Sequence, residues 1–216
     1  METVQFISEN LALLGTKTLE HVMLVSVAVG IAVLTGVPTG IAITQNERVA
    51  KLVLYVASIV MTIPSIALFG FMIPILSKIG HGIGYLPAVI AVMLYSQLPI
   101  IRNTYTAINN VDPALREAAR GMGMTPMQRL WRVEIPLAVP VIMAGVRTAV
   151  VMNIGIMAIA AYIGAGGLGT FISRGISQTD SRQLITGALA VSLLAIFVDF
   201  FLARLQHWFT PAGIRR

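Results

Sequence analysis

Long apolar stretches broken by short charged clusters set the pattern of this chain. Residues 21–46, 52–77, 79–101, 148–173 and 183–198 contain no Asp, Glu, Lys or Arg, and several exceed the ~18 apolar residues that suggest a membrane span. Reading each tract as a helix predicts five spans, at about 21–44, 52–77, 83–101, 136–163 and 184–203, each near the ~20 residues needed to cross. The expected architecture is all-α: a polytopic membrane helix bundle of five transmembrane spans, forming a single domain over 1–216. The first twenty residues, METVQFISENLALLGTKTLE, mix acids with apolar positions. They lack the basic start and unbroken apolar core of a cleavable signal peptide, so a surface-lying helix is expected ahead of the first span.

Proline and glycine punctuate the spans. Pro38 sits between Gly36 and Gly40, Pro64 and Pro74 divide the second span, and Pro87 and Pro99 bracket the third. Each interior proline removes a backbone hydrogen bond, and in lipid the freed carbonyl must find a neighbouring helix, hydroxyl or water. Bent helices are expected, with Thr62 and Ser65 placed to serve the carbonyls around Pro64. The bends read either as ordinary tolerance of proline in membrane helices or as the movable walls of a conduit. Gly36 and Gly40 read first as close helix packing.

Composition and charge narrow the function class. With 56% hydrophobic and only 11% charged residues and a mean hydropathy of +0.84, the chain departs far from the roughly 25% charged norm of soluble domains. A soluble enzyme, a nucleic-acid partner and a disordered tail are excluded, although a net charge of +6 would suggest nucleic acid in a soluble protein. The basic excess instead sets orientation. Arg48, Lys51, Arg102, Arg116, Arg120, Arg129, Arg132, Arg204, Arg215 and Arg216 fall in one set of loops, and Lys17, Lys78, Arg174 and Arg182 in the other. The richer set belongs in the cytoplasm, which puts the N-terminus outside and the C-terminus inside. There is no cysteine, and His21, His81 and His207 are too far apart for a local ligand motif, so no metal site is expected.

Residues 102–135 form the one long polar insertion, RNTYTAINNVDPALREAARGMGMTPMQRLWRVEI. Asp112-Pro113 is an N-cap followed by a first-turn proline, which predicts a short helix from Pro113 through Arg120. Gly121-Met122-Gly123 predicts its stop, because glycine adopts the left-handed conformation of a helix end. Thr125-Pro126 repeats the device and starts a second helix toward Ile135-Pro136. On the first helix Leu115, Ala118, Ala119 and Met122 share a face, with Arg116 and Arg120 together on another. Such a strip suits a knob entering a groove on another protein. An amphipathic helix on the lipid surface is the alternative these residues leave open; a helix-turn-helix spelling alone does not make a nucleic-acid contact.

Glu117-Ala118-Ala119, then Gly123, then Val133-Glu134-Ile135-Pro136 resembles the EAA-x3-G-x9-I-x-L-P signature of the permease subunits of binding-protein-dependent ABC importers. The final positions depart, with Val for Ile and Ile for Leu, both preserving size and apolarity. The segments 140–149, PVIMAGVRTA, and 163–169, IGAGGLG, are similar to the branch importing quaternary-amine osmoprotectants such as glycine betaine, carnitine and choline, with the methionine branch close behind.

The resemblance implies a MetI-like ABC permease fold in the bacterial cytoplasmic (inner) membrane and no catalytic residue in this chain. It implies a second permease copy or relative, ATP-binding subunits, a substrate-binding protein on the outer side, and ATP with Mg on the ATPase partner. It makes the first helix of the insertion a coupling helix, with Asp112, Leu115, Arg116, Glu117, Ala118, Ala119, Arg120, Met122 and Gly123 as the ATPase-facing segment. The residues agree that energy comes from elsewhere, since no G-x-x-x-x-G-K-[ST] loop is present. An ion-coupled secondary transporter would need membrane acids or discontinuous helices at an ion site, and Asp199 is the one acid inside a span.

Gly164-Ala165-Gly166-Gly167-Leu168-Gly169 spells G-x-G-x-x-G, but the dinucleotide reading needs a preceding strand, and this segment follows a span. Gly166, Gly167, Leu168, Gly169 and Arg174 are instead expected on an outer surface that meets the binding protein. Arg147 is the one basic residue well inside a span, and it and Asp199 each need a partner or water; they are candidates to pair. Tyr95, Ser96, Gln97 and Asn153 could line a pathway or hold helices together.

Overall fold

The computed structural model describes residues 2–209; Arg215 and Arg216, counted above with the cytoplasmic charges, lie outside the described residues. All regular structure within this range is helical. Ten α-helices follow one another among the described residues: α1 (Glu2–Glu9), α2 (Leu11–Ala42), α3 (Glu47–Thr62), α4 (Ser65–Ser77), α5 (Tyr85–Asn109), α6 (Pro113–Gly121), α7 (Pro126–Arg129), α8 (Ile135–Ile159), α9 (Gly169–Ser177) and α10 (Ser181–Phe209). The helices α2, α5, α8 and α10, taken with their flanking turns, are each long and apolar enough to cross a bilayer.

The second expected span, 52–77, falls on two helices, α3 and α4, which together are long and apolar enough to cross and are bent by 99° at their junction. Ile63 is extended, with φ −71° and ψ 127°, and Pro64 follows with ψ 136°. The proline ring excludes the residue before it from the helical region, so the break falls where the sequence places Pro64. The exposed carbonyl is served neither by Thr62, which bonds back to Ile59, nor by Ser65. Instead the Tyr95 hydroxyl on α5 donates to the Ile63 carbonyl.

The surface helix expected over the first twenty residues is corrected. Only α1 is separate; the chain kinks at Asn10 (φ −114°, ψ 19°) and then runs as one helix from Leu11. Lys17 and Glu20 pair at 2.7 Å, three positions apart on α2, which lets these charges ride on a helix that continues into the apolar tract.

α5 is the axis of the bundle, packed by α2, α8, α3 and α4, while α10 lies against α8 and α9. Small residues make the seams close. Ala28, Ala32, Ala88, Ala91 and Ala149 are all fully buried in one core with Phe69, Val92, Ile100 and Met157. A Cβ on Gly36 would stand 2.9 Å from Ile100 Cγ2, one on Gly40 2.6 Å from Thr104 Cβ, and one on Gly145 2.8 Å from the Pro99 carbonyl. These glycines therefore bring α2 and α8 onto α5 within one chain, the small-residue packing that lipid favours because it offers no hydrophobic drive between helices.

Candidate functional site

The elbow between α5 and α8 is built from local signals. Asp112 Oδ1 accepts from the Ala114 amide at 2.8 Å, and Pro113 fills the first turn of α6. α6 ends in a complete Schellman turn: the Met124 amide donates to the Ala119 carbonyl at 3.1 Å and the Gly123 amide to Arg120 at 2.9 Å. Gly123 has φ +77°, the left-handed position at which glycine escapes the Cβ penalty. Thr125 and Gln128 then form a reciprocal capping box at the start of α7. Between α7 and α8, Leu130–Glu134 widen into a π-helical turn.

The two helices of the elbow are held by one carboxylate. Glu134 is buried, and its Oε1 accepts from Arg129 Nε at 2.8 Å, with Arg116 Nε of α6 at 3.4 Å. Arg116 also donates through Nη2 to the Ile108 carbonyl at the end of α5. A cavity of about 320 Å³ opens beside this cluster, lined by Ile41, Gln45, Asn109, Arg116, Arg129 and Glu134 among others.

The outer face of α6 differs from the strip read from spacing. Leu115, Glu117, Ala118, Arg120 and Met122 are exposed, but Ala119 is fully buried inside the chain. The 3.6-residue repeat puts Ala119 at the margin of the strip, and α6 lies on the bundle along that margin. Arg116 is turned inward by its two contacts. Met127 and Trp131 extend the exposed apolar surface, and the Trp131 indole N–H donates to Met127 Sδ at 3.1 Å; the sequence reading missed both. Glu134 was missed as well, although an acid between Val133 and Ile135 at the foot of an apolar helix is the signal that marks it.

Residues 32–212 match the model of the family described as binding-protein-dependent transport system inner membrane component. The chain belongs to this family. It is 58% identical over 215 residues, covering 100% of both chains, to the osmoprotectant import permease protein OsmW of Salmonella typhimurium. It is 42% identical to the choline transport system permease protein OpuBB of Bacillus subtilis, across 99% of this chain and 96% of that one. In fold it is similar to a chain of the MetNI methionine ABC transporter in an inward-facing conformation, with TM-score 0.84 and 24% identity over 94% of this chain and 99% of that one. Members of the family are transport components rather than enzymes.

In this permease Arg147, midway along α8, meets Asp199 of α10 as a two-pronged pair, Nε to Oδ1 at 2.5 Å and Nη2 to Oδ2 at 2.7 Å. The pathway candidates separate. Asn153 is fully buried, donating to Ser96 Oγ on α5 at 2.8 Å and to the Ala149 carbonyl at 2.8 Å, so it ties α8 to α5. Tyr95 is buried and serves the α3–α4 break. Gln97 is half-exposed, donates to Thr35 Oγ1 at 2.9 Å, and borders an apolar recess with Leu52, Val56 and Val60 of α3.

Three positions of the glycine-rich segment depart from the outer surface expected for it. Gly167, Leu168 and Gly169 are buried. The Gly167 amide donates to Glu20 Oε2 at 3.1 Å, and a Cβ on Gly169 would fall 1.9 Å from the Ala158 carbonyl. Beside it, fully buried His21 bonds through Nε2 to the Ile154 carbonyl at 3.0 Å. The glycines let α9 begin against the end of α8 and α2, so the segment is a joint. Gly166 is half-exposed, and Arg174, Ile176 and Gln178 form the exposed surface at this end.

Proposed function

We propose that this permease is the membrane subunit of an ATP-driven importer of quaternary-amine osmoprotectants, of the glycine betaine, carnitine and choline class. It pairs with a second permease chain to enclose the translocation pathway and docks ATPase subunits through α6. The observation that carries this reading is identity of 58% along the whole length of an osmoprotectant import permease, joined to an elbow whose caps and turn present Leu115, Ala118 and Met122 outward. Methionine is the weaker reading, since the likeness to the methionine transporter rests on fold at 24% identity.

The loop charges orient the chain with the N-terminus outside and the elbow in the cytoplasm. Solute is delivered at the end carrying Arg174, Ile176 and Gln178 by a binding protein. ATP and Mg belong to the ATPase partners, whose approach moves the docked elbows together and re-tilts the spans as rigid bodies. Gln97, on the half-exposed flank of α5 facing α3, is the pathway residue of this arrangement. The test is reconstitution of the permease with its ATPase and binding protein in vesicles. ATP-dependent uptake of labelled glycine betaine in preference to methionine, with Ala118→Cys cross-linking to the ATPase, supports it. Uptake driven by an ion gradient without ATP, or cross-linking of position 118 from the outer side alone, overturns it.

A further inference from the structure

We propose that Glu134 is the positioning residue that carries displacement of α6 into α8. The inference rests on the reading of α6 as the ATPase-docking helix and concerns what happens after docking. Apolar contact between the elbow and the bundle is thin. Ala119 is the one buried residue of α6, and α7 has none. The covalent route from α6 to α8 runs the longer way, through the turn at Gly123, the capping box and α7.

The polar route is shorter. Arg116 of α6 and Arg129 of α7 address the same oxygen of Glu134, at 3.4 and 2.8 Å, and Glu134 is the residue immediately before α8. The Arg116 contact to the Ile108 carbonyl anchors the same guanidinium to α5. One buried carboxylate therefore sits where four helices meet: its bond from Arg129 is charge-assisted and holds orientation more tightly than a neutral one, and Arg116 Nε faces the same oxygen as an ion pair without a hydrogen bond. The π-helical turn at 130–134 is a site where a helix changes direction. The adjoining cavity gives the two arginines room to shift against Glu134 without overlap.

The experiment uses the permease assembled with its ATPase subunits in vesicles and reads labelled glycine betaine taken up per ATP hydrolysed. Glu134→Gln keeps shape and removes the charge. The expected result is an assembled complex that still hydrolyses ATP but whose uptake per ATP falls on the order of tenfold, the scale of a lost charged hydrogen bond. The exchange Arg129→Glu with Glu134→Arg restores one carboxylate between two guanidiniums and recovers most of that loss.

Unchanged uptake per ATP in Glu134→Gln overturns the proposal. So does an exchange variant that assembles and stays uncoupled. Should Glu134→Gln fail to hold the ATPase, the exchange variant decides by the same measure: coupled uptake supports the role, and failure to assemble or to couple removes it. Failure of the unsubstituted chain to associate with any ATPase would instead sink the docking reading itself.

Discussion

Arg147 and Asp199 invite a double-mutant cycle. Each is alone in an otherwise uncharged part of its helix, and each keeps about a third of its side chain exposed, 34% and 38%. An isolated charge at the centre of a span costs about 2.5–3.5 kcal/mol on insertion scales. Arg147→Met strands the carboxylate, whereas Asp199→Leu leaves an arginine that can partly snorkel, so the first is the costlier substitution. The double variant replaces an ion pair with apolar side chains, which is often nearly neutral. The two single costs therefore sum to more than the double; residues in contact couple by roughly 0.5–3 kcal/mol in general, and the one-third exposure of both side chains keeps this pair below the insertion-scale ceiling. Reversible SDS titration in mixed micelles, followed by circular dichroism, measures all four proteins. Additive single losses, or single losses below about 0.5 kcal/mol, would refute the assignment of this pair as a helix-to-helix clamp.

Three further outcomes follow from local geometry. Gly123→Ala meets no neighbour within 4 Å, so its cost is backbone alone, about 1–2 kcal/mol; exchange of the Met124 amide should quicken roughly 5- to 30-fold, and an unchanged rate would contradict the left-handed turn. Thr179 is the one non-glycine among the described residues with positive φ, +54°, in a Schellman turn closed by the Asp180 amide to Gly175 at 2.9 Å. Thr179→Gly should stabilise by about 0.5 kcal/mol, relief of strain offset by a freer unfolded chain, read as a small rise in thermal midpoint. Asp180 accepts from the side chains of Arg182 and Gln183 and from the Arg182 amide, capping α10; these bonds hold its carboxyl down to about 2. Its contribution is therefore complete above the ordinary carboxylate value near ~4 and is lost only as pH falls through about 2, so the Asp180 carboxyl carbon should not titrate by NMR between pH 7 and pH 4.

What the sequence made legible was local. Asp112, Thr125 and Gly123 act through neighbours two to five residues away, so their roles could be read from spacing, as could the apolar tracts. What it concealed depends on contacts distant along the chain. Gly167 faces inward because Glu20 and His21, near the start of α2, receive it. Tyr95 was a pathway candidate until the break at Pro64 placed a bare carbonyl within its reach. Ala119 belonged to a docking strip by periodicity and by the signature it shares with Glu117 and Ala118, neither of which says which margin of α6 lies on the bundle. The bend at Pro64 was expected, but its size was not, because an X-Pro step ends a helix without fixing where the next one points.

The glycine contacts along α2, α5 and α8 leave no slack for sliding: a single added methyl at Gly36, Gly40 or Gly145 already collides. These three helices consequently travel as a keel, with the Glu20–Gly167 joint fastening one end. α3 is seated on that keel through Ala50 against Ile101, and α4 through Leu68 and Phe69 in the same core as Ala88 and Val92. The sharp corner at Ile63–Pro64 is therefore braced on both sides, and the second arm turns with the keel rather than swinging from it.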